Sequence, residues 1–304
     1  MKIKTSFFAK LLPTLLLTLS TSAMAGPIII AGTDADDHGF ATGGVNQTGW
    51  SFMQKAFDNI GAGVTNGNKS IVCIGCNGSQ ASAAYQAATG GSTLASTWSV
   101  YTLTSLADIT SFFNGTGVRN LSNTGILYMP TVDSNVGGGI SDLQLGIVNA
   151  NGTALNNFVA GGGGLFTQEE ANSSIGYGWL ASLIPGFTVL GDNNGGVWDS
   201  SVLQLTAAGS AAFPGLTSAD ISNATPWHAY FRNYGNLTAL ALGDGDNIGG
   251  VNDAVVIGGN GGAVLACGTP GQPPCVVTVP EPDSFGLLAI GALGFWTWRG
   301  RRKG

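Results

Sequence analysis

The chain has 304 residues, 44% of them hydrophobic and only 9% charged, with 49 glycines and a formal net charge of −6. Seven of its eleven Lys and Arg lie within residues 1–25 and 279–304, so the stretch between keeps four cations (Lys55, Lys69, Arg119, Arg232) against fifteen acids. Such a surface repels a phosphate backbone, which argues against nucleic acid and leaves divalent cations and neutral glycans as partners; the recurring aromatic and branched aliphatic residues argue against disorder.

Residues 1–25 carry Lys2, Lys4 and Lys10, then the apolar run LLPTLLLTL, then Ala23-Met24-Ala25. A basic start, a short apolar core and small residues before the cut describe a secretory signal peptide, with cleavage expected after Ala25. Residues 26–266 are expected to form the exported domain. Its opening IIIA reads as a buried strand, and the loop GTDADDHG follows. Over 50–60 the residues Phe52, Met53, Ala56, Phe57 and Ile60 share one helical face. Strands are expected at 70–74, 98–103, 125–132 and 163–167, and helices at 108–113 and 154–160. SQASAAYQAA adds a further helical stretch after CIGC. Strands alternating with helices predict an α/β fold, a parallel sheet covered on both faces; a two-sheet β-sandwich is the alternative. From Val189 onward the pattern turns strand-like (LQLTAAG, WHAYFRNYG), and LTALALGDGDNIGGVNDAVVIGG reads as two strands joined by an Asp/Asn/Gly turn.

The order of strand 28–31, strand 126–130, helix 154–160 and glycine-rich strand 161–166 resembles the class I glutamine amidotransferase-like fold, a flavodoxin-like sheet. LTAAGSAAFPGLTS followed by Trp227-His228 is similar to a later segment of that family's non-amidotransferase relatives. The resemblance implies a nucleophilic cysteine on the turn after the glycine-rich strand, but that turn here reads Leu165-Phe166-Thr167-Gln168-Glu169-Glu170. Thr167 would need a base, and His228, between Trp227 and Tyr230, reads as an aromatic-cluster histidine. No catalytic residue is therefore assigned.

Asp34, Asp36, Asp37 and His38 leave the carboxyl end of the first strand, where open α/β sheets place ligands; they read first as a solvated acidic turn and second as three carboxylates and an imidazole that could bind a divalent cation. No other cofactor is expected. Asp244-Gly-Asp246 begins a partial calcium-loop pattern that lacks its terminal Glu and reads first as a hairpin turn. Cys267 and Cys275 bracket a turn-rich loop within a linker at 267–278, and an oxidising compartment favours their pairing. Cys73 and Cys76 form CIGC between a strand and a helix, read as a structural disulfide ahead of a redox centre. Nine Asn-X-Ser/Thr sequons are what this composition yields by chance.

The last 26 residues are the most specific. Val279-Pro280-Glu281-Pro282 precedes an uncharged run at 285–298, and Arg299, Arg301, Arg302 and Lys303 follow. The run is apolar enough for a short transmembrane helix, its two Trp suit the interface, and the cations suit the cytoplasmic side. These three parts in this order resemble the PEP-CTERM sorting signal. The resemblance implies an exosortase partner that cuts near Pro-Glu-Pro, transient anchoring in the inner membrane with the domain in the periplasm, and a final place at the cell surface or outside, often with exopolysaccharide. The expectation for function is an exported surface or matrix protein with a non-catalytic domain. The alternative is a metal-dependent hydrolase of envelope or matrix carbohydrate.

Overall fold

A computed structural model describes residues 26–36, 41–42, 45–46, 48–132, 138–169, 173–191, 203–223, 227–244 and 252–259. The expected signal peptide, Asp37, His38, Cys267, Cys275 and everything from 279 onward lie outside the described residues. In chain order the strands are β1 (Ile28–Ala31), β2 (Ala41–Thr42), β3 (Val45–Asn46), β4 (Ser70–Ile74), β5 (Ser99–Leu103), β6 (Ile126–Met129), β7 (Gly164–Gln168), β8 (Thr188–Gly191), β9 (Gln204–Leu205), β10 (Ala229–Arg232), β11 (Thr238–Gly243) and β12 (Asp253–Gly259). The helices are α1 (Thr48–Gly63), α2 (Ser79–Gly91), α3 (Leu106–Phe113), α4 (Asp142–Ala150), α5 (Gly152–Ala160), α6 (Leu180–Leu183), α7 (Ala207–Ala212) and α8 (Ser218–Asn223).

Four strands, β1, β4, β6 and β7, are buried along their whole length, as strands covered on both faces must be. Side chains alternate between two cores. Ile29, Ala31, Ile71, Cys73, Tyr128 and Phe166 meet the apolar faces of α1, α2, α7 and α8. Ile28, Ile30, Val72, Ile74, Leu127 and Leu165 meet those of α3, α4, α5 and α6. The expected α1 face is the one buried, and Phe57 packs edge-on against Tyr128 and Phe166 at centroid distances of 5.4 Å. The α/β reading therefore holds, with helices on both faces, and the sandwich alternative does not describe this sheet.

The sheet itself differs from the expectation. Its main order is β5-β4-β6-β7-β1-β12-β10-β8. The five strands from β5 to β1 are parallel, whereas β12, β10 and β8 add on antiparallel. The flavodoxin-like expectation of a parallel sheet thus covers half of it. The reason lies in the two-strand reading of the C-terminal stretch: β11 and β12 are consecutive and pair antiparallel, with Thr238 opposite Gly258, and β12 then lays its other edge against β1. Consecutive strands joined by a short connection can pair only antiparallel. LQLTAAG also differs: after the brief β9 it becomes the helix α7, whose Gly209 N–H is capped by the Thr206 hydroxyl.

Candidate functional site

The carboxyl ends of the parallel strands gather the buried polar side chains. β1 runs into Gly32, and the start of β10 lies against that residue: Gly32 O accepts hydrogen bonds from the backbone N–H groups of His228 (2.9 Å) and Ala229 (3.1 Å). A Cβ at position 32 would stand 1.8 Å from Ala229 O, so only glycine permits this approach. Thr33 bridges Trp227 in the same place. The outcome is that His228 Nε2 lies 3.2 Å from Asp34 Oδ2, although 194 residues separate them in sequence.

Two further strands close the network. From β7, Gln168 Oε1 accepts from Thr33 Oγ1 (3.2 Å) and from the Ala35 N–H (3.0 Å), while its Nε2 donates to the Tyr128 hydroxyl of β6 (2.7 Å). Just past β6, Thr131 gives both its N–H (3.2 Å) and its hydroxyl (3.1 Å) to Asp36 Oδ2. The Asp36 carbonyl accepts from Trp50 Nε1 of α1 at 3.4 Å. On the other side of β7, the Thr167 hydroxyl bonds to Glu169 Oε1. Asp34, Asp36, Glu169 and His228 are each no more than 4% exposed.

Burial sets the electrostatics. Desolvation, and secondly the charge of Asp34, push the Asp36 carboxyl up to about 8, against the smaller opposing pull of the Thr131 hydrogen bonds. Burial also raises Glu169 well above the ordinary carboxylate range. Asp36 Oδ1 and Glu169 Oε2 find no hydrogen-bond partner among the described residues. Because the Thr131 N–H can only donate, it occupies Oδ2 and leaves Oδ1 as the place for the Asp36 proton. At neutral pH the site thus holds a neutral acid beside the Asp34–His228 pair.

Of the residues singled out from sequence, Asp34 and Asp36 come together here, and His228 joins them instead of standing only in an aromatic cluster. Thr167, at the position where the amidotransferase resemblance asks for a cysteine, is bonded to Glu169. Glu169 and Gln168 carried no sequence signal beyond their place at a strand end. Among the described residues no group of three or more His, Cys, Asp or Glu is placed to hold a metal ion. Cys73 and Cys76 form a disulfide and are buried at the end of β4. No described helix is long and apolar enough to cross a membrane, and 285–298 lies outside the described residues.

Residues 278–303 match the family model described as the PEP-CTERM protein-sorting motif. The chain carries a PEP-CTERM sorting signal. The PEP-CTERM motif supports sorting by exosortase, export through the membrane and a surface location. It spans only the tail, so it does not bear on the folded domain. No curated protein and no solved structure matches the chain, and the amidotransferase-like resemblance of the domain is without support there.

Proposed function

We propose that this is an exported cell-surface or extracellular-matrix protein, released from transient inner-membrane anchoring by exosortase, whose folded domain is non-catalytic. The match at 278–303 carries this reading. The tail joins the three parts a membrane-embedded transpeptidase needs: the cleavable Pro-Glu-Pro, the apolar run at 285–298 and the basic Arg299, Arg301, Arg302 and Lys303. The polar network at the strand ends supports a structural role for the acids: Asp36 and Glu169 are buried, and threonine hydroxyls and backbone hold them. Deleting 279–304 should leave a soluble domain in the periplasm. Normal surface display of the truncated protein would overturn the sorting role of the tail.

One observation favours a second reading, metal-dependent hydrolysis of envelope or matrix carbohydrate. Asp34 and Asp36 are close enough for the charge of one to raise the pKa of the other, and His228 lies against Asp34. A buried carboxylate pair can exchange its proton for a divalent cation. Metal analysis of the purified full chain separates the two readings. A stoichiometric divalent ion lost in Asp34→Asn and Asp36→Asn supports the hydrolase, and its absence after incubation with Ca²⁺, Mg²⁺, Mn²⁺ and Zn²⁺ removes it.

A further inference from the structure

β5 stands at the outer end of the sheet order, and among the described residues β4 is its one strand partner. The register of the two runs unbroken from Ser70 opposite Ser99 to Ile74 opposite Leu103. The Ser99 N–H donates to Lys69 O (3.0 Å), and Leu103 O accepts from the Gly75 N–H (3.0 Å), so the backbone groups of Ser99 and Leu103 face β4. Alternation along the strand places those of Tyr101 on the same side and turns the N–H and C=O of Val100 and Thr102 to the open edge. Such an edge is a template for another strand, and folded proteins blunt it with charge, proline or a bulge. The β5 sequence, Ser-Val-Tyr-Thr-Leu in unbroken register, uses none of these. Apolar surface gathers beside it. Of the five exposed large hydrophobic side chains among the described residues, Val100 (41%) is on β5 and Leu106 (42%) opens α3 directly after it. A third, Val118 (88%), adjoins Arg119, whose guanidinium lies 3.7 Å over the Tyr101 ring.

We propose that β5 is a self-association surface: two copies of this chain pair their β5 strands antiparallel about a two-fold axis through Tyr101, joining two sheets into one. That axis sets Val100 opposite Thr102 of the second copy, and Thr102 opposite its Val100. These are the two residues whose backbone groups face outward, so each pair exchanges both N–H···O bonds, and four bonds satisfy the open edge. On one face Val100 meets Thr102, a pair of β-branched side chains, and on the other Tyr101 stands opposite its own copy; both are favourable cross-strand pairs. Charge selects the direction. Exposed Lys69 marks the amino end of the edge, and exposed Asp108, in the first turn of α3, marks the carboxyl end. Antiparallel pairing brings the Lys69 end of each copy to the Asp108 end of the other, whereas parallel pairing would set like beside like. Arg119 is engaged with its own Tyr101, to whose hydroxyl its Nη2 donates at 2.7 Å. Between residues 26 and 278 the chain carries fifteen acids against four cations, so two copies repel over most orientations, and the uncharged β5 offers an approach that is spared. Isologous pairing uses this edge in both copies and closes the assembly at two. With five residues from each strand the contact belongs to the small, reversible class. The inference rests on the folded domain and is independent of how the tail is processed.

The test is sedimentation equilibrium of the purified full-length chain in density-matched detergent, over a series of concentrations. A reversible monomer–dimer equilibrium is expected. Thr102→Pro removes an outward N–H from each copy without taking one from the pairing with β4. It should weaken the dimer about tenfold or more, because symmetry removes two hydrogen bonds at once. Val100→Lys, at an exposed position where the fold is not in question, places a charge on the edge and should weaken the dimer as well. Hydrogen exchange reads the edge directly: the Val100 and Thr102 amides should be protected in the dimer and exchange freely on dilution. A chain that is monomeric at every concentration overturns the proposal. So does a dimer that either variant leaves unchanged, which would place the contact elsewhere. Protection of the two amides that is independent of concentration would show that the chain covers its own edge, and overturns it too. Growth beyond the dimer rejects the two-fold closure.

Discussion

Asp36 keeps a proton at a pH where an exposed carboxyl has long lost it, and that has a measurable consequence for stability. Its folded pKa is raised to about 8, first by burial and then by Asp34, while the unfolded chain restores it to the ordinary value near 4. Between these limits the folded state binds more protons than the unfolded one, so stability falls as pH rises. The contribution is fully present below about pH 4, is lost progressively up to about pH 8, and changes no further beyond. Asp36→Asn mimics the neutral acid: its amide oxygen can accept from Thr131 as Oδ2 does. The variant should therefore be more stable than the parent at pH 8, on the order of 5 kcal/mol, with a difference that shrinks toward pH 4. Glu169, raised by burial in the same direction, leaves a residual pH slope in the variant. Denaturant melts at pH 4, 6 and 8 measure this directly. A difference that does not grow with pH would show that Asp36 is ionised in the fold.

At the scale of elements, α4 shows how a short helix is fixed by its first turn. Ser141 accepts from the Gln144 N–H at 3.4 Å, and the Gln144 side chain reaches back to accept from the Ser141 N–H at 2.9 Å, a reciprocal capping box. Gln144 Nε2 also donates to Thr104 O at 2.6 Å, tying the helix to the end of β5. Ser141→Ala should cost about 1 kcal/mol of stability, read as a shift in the denaturation midpoint, and Ser141→Asp should restore most of it. The Ser-Asp-Leu-Gln signature of this cap stands plainly in the sequence, yet no helix was expected there: Leu143, Leu145 and Ile147 alternate with the period of a strand, and the capping pattern is the helical signal. Elsewhere burial made the elements legible. Isoleucine- and valine-rich β4 lies where expected, at Ser70–Ile74, because a strand buried on both faces has a continuous apolar run. Small-residue α7 escaped, since Ala-Ala-Gly-Ser-Ala-Ala has no pronounced face; Gly209 lets it approach β11, where a Cβ would meet Leu240 O at 1.9 Å. The candidate site was legible by the same measure. Asp34 and Asp36 follow a strand end and could be picked out, whereas His228 reaches Asp34 only through the antiparallel return of β12 and β10, which no local pattern encodes.

At the scale of the whole molecule, the fold and the tail are separable by construction. β12, the last described strand, sits inside the sheet with β11 on one edge and β1 and β10 on the other, and its pairings end at Gly259. Nineteen residues then intervene before Val279, so a cut near Pro-Glu-Pro removes none of the sheet pairing among the described residues. Pro280 and Pro282 disfavour helix, and an extended segment is the form in which a chain enters a protease groove without first unwinding. On the proposed reading, the apolar run at 285–298 would hold that segment close to the bilayer, and the four cations would fix its orientation. Mature protein from a host with exosortase should therefore lack the apolar run and the basic end, whereas a host without the enzyme should retain the chain in its inner membrane with the tail intact. Both forms should melt at the same temperature, because every described strand precedes the cut in each. Intact-mass measurement on protein from the two hosts decides the matter. An identical full-length C-terminus in both would refute processing, and a lower melting temperature for the shortened form would show that the tail contributes to the fold.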